Sequence, residues 1–174
     1  MTQITQIGRD ASTTIKLISA TLQPKHGSAW HGGPTPLGAL RGVDAAQAKW
    51  TPPGGKQSIW RLTLHIAYWK YTIRRHLEGG DIARFPRSPA NFPALPKVAD
   101  EAAWKADRAL LKQEHALLLE SLRRLEGKDL RQRPPTGKRW TWGEMAIGIL
   151  LHDAYHTGQI QLLKRQHRLH RSRN

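Results

Sequence analysis

Apolar positions recur along the chain at helical rather than strand spacing. Near the start, Ile4, Ile7, Ala11, Ile15, Ile18 and Leu22 fall three or four residues apart, which predicts one face of a helix that stops before Pro24. A second stripe, Ile59, Leu62, Ile66, Trp69 and Ile73, follows Ser58, whose hydroxyl suits the free N–H groups of a first turn, and it runs out at Gly79 and Gly80. A third, made of Ala102, Ala106, Ala109, Leu110, Leu117, Leu118, Leu122 and Leu125, opens after Asp100 and closes before Gly127. Thr141-Trp-Gly-Glu144 has the form of a capping box and starts a fourth helix that runs to about Gln166. The last residues, HRLHRSRN from about 167, read as a basic, frayed tail.

The connections are rich in Gly and Pro. Between the first two helices, Trp30 and Trp50 serve as apolar anchors, and Val43 to Lys49 forms one or two helical turns with Asp44 near their start. Between the second and third, FPRSPANFPALPK reads as an extended crossover. No segment alternates with the period of a strand. The pattern therefore predicts an all-α fold, a four-helix bundle with a long crossover, in a single domain over residues 1–174.

Composition narrows the chemistry. An apolar share of 39% over 174 residues is enough to build a core and excludes global disorder. The absence of cysteine excludes a disulfide framework, a thiolate metal site and a cysteine nucleophile. No apolar run is long enough to span a membrane, and MTQITQIGRD lacks the character of a signal peptide, so the expected location is the cytoplasm. The net charge of +15 opens a nucleic-acid reading. Arg123, Arg124, Lys128, Arg131, Arg133, Lys138 and Arg139 precede the fourth helix, and Lys164, Arg165, Arg168, Arg171 and Arg173 lie at its far end. These are two clusters rather than one stripe, no helix-turn-helix, finger or RNA-binding signature accompanies them, and charge runs of this kind are usually solvated faces.

Histidine placement is more informative. At about 100° per residue, His152 and His156 fall inside the apolar stripe of the fourth helix, one turn apart, and His65 borders that of the second. Two histidines at i and i+4 can offer nitrogens to one metal, and a third from a facing helix leaves a coordination position open, as in catalytic zinc sites. Imidazole suits zinc or nickel, with iron or copper as alternatives. The competing reading is three packed core histidines with ordinary hydrogen bonds. Trp69, one turn after His65, is placed to wall a pocket or simply to fill the core; Gln159, one turn after His156, is placed to hydrogen-bond there. Asp153 points away from this site on the helical wheel and suits a surface salt bridge, with an inter-helix or supporting role as the alternative, while Tyr155 lies on the opposite side. His76 and His115 have no partner at ligand spacing, His26 and His31 lie in the first loop, and His167 and His170 belong to the basic tail. Glu-x-x-His pairs, HExxH and Gly-x-Ser-x-Gly are all absent.

These residues resemble a known family. SIWRLTLHIAYWKYTIRRHLEG, with His65, and WTWGEMAIGILLHDAYHTGQIQLLKR, with His152 and His156, are similar to the second and last helices of the DinB/YfiT-like superfamily; WHGGPTPLGALRGVDAAQAKWTPPGGKQSIW looks like its first loop. The resemblance spans most of residues 28–166 and implies a four-helix bundle, often a homodimer, with a divalent metal held by the three histidines. It also implies a metal-dependent thiol S-transferase or hydrolase acting on a small-molecule substrate, with a low-molecular-weight thiol as cosubstrate. The alternatives are a basic nucleic-acid-binding protein and a metal-stabilised bundle without catalysis.

Overall fold

The computed structural model describes residues 3–24 and 32–173. Trp30, His26 and His31 lie outside the described residues, as do the side chains of Ile4 and Ile7. The helices are α1 (Gln3–Leu22), α2 (Pro36–Ala39), α3 (Ala45–Lys49), α4 (Ile59–Leu77), α5 (Glu101–Arg123) and α6 (Trp142–Arg171). The four long ones make the bundle: α4 packs on α5 and α6, and α1 on the same two. The all-α fold is as the periodicity predicts.

Each long helix after α1 begins where its capping residue stands. Ser58 accepts from the Arg61 N–H at 3.2 Å and Asp100 from the Ala103 N–H at 2.8 Å. The capping box of α6 is complete: Thr141 Oγ1 accepts from the Glu144 N–H at 3.2 Å, and Glu144 Oε2 accepts from the Thr141 N–H at 2.7 Å. Asp44 caps α3 in the expected segment. The short α2 was not expected, although Thr35 followed by Pro36 combines a capping hydroxyl with a proline at the first helical position.

Three local expectations differ from the structure. The first is α4, which is buried on almost every side from Ile59 to Ala67 and not along one stripe. The segment carrying α2 and α3, and the crossover, cover the sides that a plain bundle would leave wet. The second is the buried face of α5, which runs through Trp104, Asp107, Leu111, Glu114, His115, Leu118 and Leu122, leaving Ala102, Ala106 and Ala109 exposed. A pattern of apolar residues alone is rotated away from a face that includes charged side chains. The third is the basic tail from 167, which continues α6 as helix to Arg171. Trp50 packs against the rings of His167 at 5.3 Å and His170 at 5.6 Å, and Lys164 Nζ donates to the carbonyls of Ala39 and Arg41.

The apolar core has two parts. One gathers Trp60, Leu64, Trp104, Leu111, Ile160 and Leu163; the other gathers Ile15, Ile18, Leu22, Leu118, Leu122 and Ile149. Between them the bundle carries a belt of buried polar side chains: His65 and Lys70 on α4, Glu114 and His115 on α5, Asp153, His156 and Thr157 on α6.

Candidate metal centre

The three histidines of the sequence pattern meet in this belt. His65 Nε2 lies 3.1 Å from His156 Nε2 and 3.1 Å from His152 Nε2. One nitrogen from each ring falls in a single group able to hold a metal ion. Ligand nitrogens around a tetrahedral zinc lie roughly 3.3 Å apart, given bond lengths of about 2.0–2.1 Å. The observed separations are close to that value.

The outer nitrogens show what this convergence means. His65 Nδ1 is 2.6 Å from the Asn91 carbonyl, which can only accept, so that nitrogen carries the proton. His156 Nδ1 is 2.6 Å from Gln159 Oε1, with the same consequence. Burial is the chief cause that lowers the pKa of all three rings, His152 to about 3, so they are neutral at pH 7. Two neutral imidazoles protonated at Nδ1 point bare Nε2 lone pairs at each other across 3.1 Å. That arrangement is repulsive unless an electrophile lies between them. The donor set thus fits a divalent metal ion. Among the described residues, His152 Nδ1 is buried and has no hydrogen-bond partner.

The crossover supports the site. Arg87 donates two hydrogen bonds to Asp107 Oδ1, at 2.9 and 2.6 Å, which ties the loop to α5. Asn91 has a φ of 69°, a left-handed conformation that asparagine tolerates better than most residues. In that conformation it serves α4 twice: its carbonyl accepts from His65 Nδ1–H, and its Oδ1 accepts from Trp69 Nε1 at 2.9 Å. Phe92 then stacks on the His65 imidazole, with centroids 4.0 Å apart and planes 9° from parallel. Neither residue was singled out in the sequence; the trace they leave is an asparagine and an aromatic between prolines, in a loop too polar to be core.

The other expected positions divide. Trp69 stands 5.9 Å from the His152 ring and lines an apolar cleft beside it. Gln159 orients His156. Tyr155 is exposed, and its ring edge meets His156 at 4.9 Å. Asp153 does not form a surface salt bridge. It is buried and pairs with the equally buried Lys70 at 2.5 Å, because α4 and α1 both pack on the flank of α6 that an isolated wheel leaves open. His76 bonds Thr136 at 2.9 Å, and His115 is buried on α5; neither joins the triad.

Acidic side chains are largely turned inward or spent on backbone. Asp107, Glu114 and Asp153 are buried, Asp44, Asp100 and Glu144 cap helices, and Glu101 accepts from the Ala45 N–H. Of the cations around residues 123–139, Arg131 pairs with Asp129, Arg124 with Glu120, and Lys128 and Arg139 lie over the rings of Trp142 and Trp140. No described helix is long and apolar enough to cross a membrane.

Fold and site together define a helical bundle with a three-histidine group able to hold a metal ion between two of its long helices. The family model of the DinB superfamily matches residues 36–160, and the chain belongs to that superfamily. Comparison with curated proteins and with solved structures gave no match.

Proposed function

We propose that the chain is a metal-dependent enzyme, a thiol S-transferase or hydrolase acting on a small-molecule substrate, with His65, His152 and His156 holding one zinc or nickel ion. The observation that carries the metal reading is the pair of opposed Nε2 lone pairs fixed by Asn91 and Gln159. When bound, such an ion supplies Lewis acidity, which brings the pKa of a bound water to about 7 and deprotonates a bound thiol. The chain has no cysteine, so a thiol comes from a cosubstrate. Asn91 and Gln159 keep the Nδ1 protons in place and the Nε2 lone pairs directed inward. Phe92 shields one face of His65 from water. The same reading includes a homodimer, as the family resemblance implies, and a cytoplasmic location, as the character of the first residues suggests.

Metal analysis of untagged protein tests the proposal. It predicts about one equivalent of a divalent transition metal per chain after reloading, and loss of that metal in His152→Ala. Less than about a tenth of an equivalent after reloading overturns it, since sites of this donor set bind tightly.

A further inference from the structure

A cleft of about 510 Å³ opens on the outer side of the triad. Trp69 and Ile73 of α4 form one wall, Ile147 and Leu151 of α6 the other, and Trp140 closes one end. His152 lines the cleft and is also a member of the triad, so the cavity adjoins the site. Its size falls within the range of small-molecule sites, roughly 300–1,000 Å³.

Two features of this cleft point to a ligand. The first is charge. In a chain of net charge +15, no lysine or arginine among the described residues lines it. Its only acidic residue among the described ones is Glu144, whose carboxylate accepts from the Thr141 backbone N–H at 2.7 Å and hydroxyl at 2.9 Å. Arg139 is stacked on Trp140 at 4.4 Å and does not line the cavity. Among the described lining residues an anion would meet a carboxylate and no cation, and the charges of Arg133 and Arg139 reach Glu144 from outside the lining. The second feature is Gly148. It lies inside α6, where glycine is disfavoured relative to alanine. A Cβ placed there meets nothing within 4 Å, so the packing of this chain does not require a glycine. Its missing side chain leaves room in the cleft.

We infer that the cleft beside His152 binds an uncharged, apolar alkyl or aromatic group, and that this group belongs to the substrate. The second half of the inference rests on the reading of the triad as a catalytic metal centre. The first half stands on the cavity alone. The positive charge of the protein is then not the determinant of what this site takes.

The test is fluorescence titration of the metal-loaded protein with neutral N-phenyl-1-naphthylamine, in parallel with its anionic counterpart 8-anilino-1-naphthalenesulfonate. The neutral probe is expected to bind with one-to-one stoichiometry. Gly148→Leu puts a side chain into the cavity from a position where a Cβ has open space, and is expected to weaken that binding by about tenfold or more, with metal content unchanged. Leu151→Arg, at an exposed wall position, brings charge into the cleft and is expected to do the same without touching the core. His152→Ala is expected to lose the metal and keep the neutral probe. Probe binding that ignores both cleft variants overturns the inference, and so does tighter binding of the sulfonate to the parent protein that Gly148→Leu abolishes. It also fails if no probe binds while Gly148→Leu changes the oligomeric state, because the cleft is then covered by a second copy of the chain. Absence of metal with cleft-dependent probe binding refutes the metal reading and supports the cleft assignment.

Discussion

Gln159 shows how much a single side chain contributes when it acts through another. Its Oε1 fixes the tautomer of His156, and partners of this kind are commonly worth about 10–100-fold in metal affinity. Gln159→Leu should therefore weaken metal binding by about that factor in a chelator competition, while Gln159→Glu, which keeps an acceptor in place, should retain it. At this scale the sequence was readable where the chemistry belongs to side chains at fixed spacing. His152 and His156 are one turn apart on a helix whose period is plain, and His65 sits on another. It was not readable where the chemistry belongs to the backbone. The partner of His65 is the carbonyl of Asn91, and any residue has a carbonyl; only the folded path of the crossover selects this one.

Elements were legible where their ends carry caps and their faces are apolar. Ser58, Asp100 and Thr141 with Glu144 set the starts of α4, α5 and α6. The inward face of α5 was not legible, because Asp107 and Glu114 occupy it and their charges are met by Arg87 and Arg74 from distant parts of the chain. Asp153 was misplaced for the same reason, since Lys70 belongs to another helix. That pair joins α4 to α6, with both side chains almost wholly buried. Removing one partner strands the other charge, so Asp153→Ala should cost about 3–5 kcal/mol in urea unfolding. The double variant Lys70→Met with Asp153→Leu should lose much less, because replacing a whole buried pair with apolar groups is often near neutral.

For the molecule as a whole, the buried acids Asp107, Glu114 and Asp153 are each met by a base, Arg87, Arg74 and Lys70, so the excess positive charge is carried by side chains outside these pairs. Composition gives the sum but not this partition. The interior also carries titrating groups that bear on acid stability. Burial, with the nearby Lys70 charge, lowers the His115 pKa to about 3 from its ordinary 6.5. Above pH 6.5 the ring is neutral in both folded and unfolded chains and costs nothing. Between pH 6.5 and 3 the unfolded chain takes up a proton that the folded one refuses, so stability is lost as pH falls. The loss approaches about 1.4 kcal/mol per pH unit for one such group. Denaturation of metal-free protein at pH 7 and pH 4.5 should show a smaller drop for His115→Leu than for the parent chain. The polar belt that holds these groups has a further effect, on alignment. Two apolar clusters stacked end to end would tolerate a slip of α6 along α4 by one turn, about 5.4 Å, with modest loss of contact. Here the same slip would set the Lys70 ammonium opposite Ile149 or Thr157 in place of Asp153, and would leave His65 facing one ring of α6 in place of two. The belt thus sets the register of the two helices, and the geometry of the triad follows from that alignment.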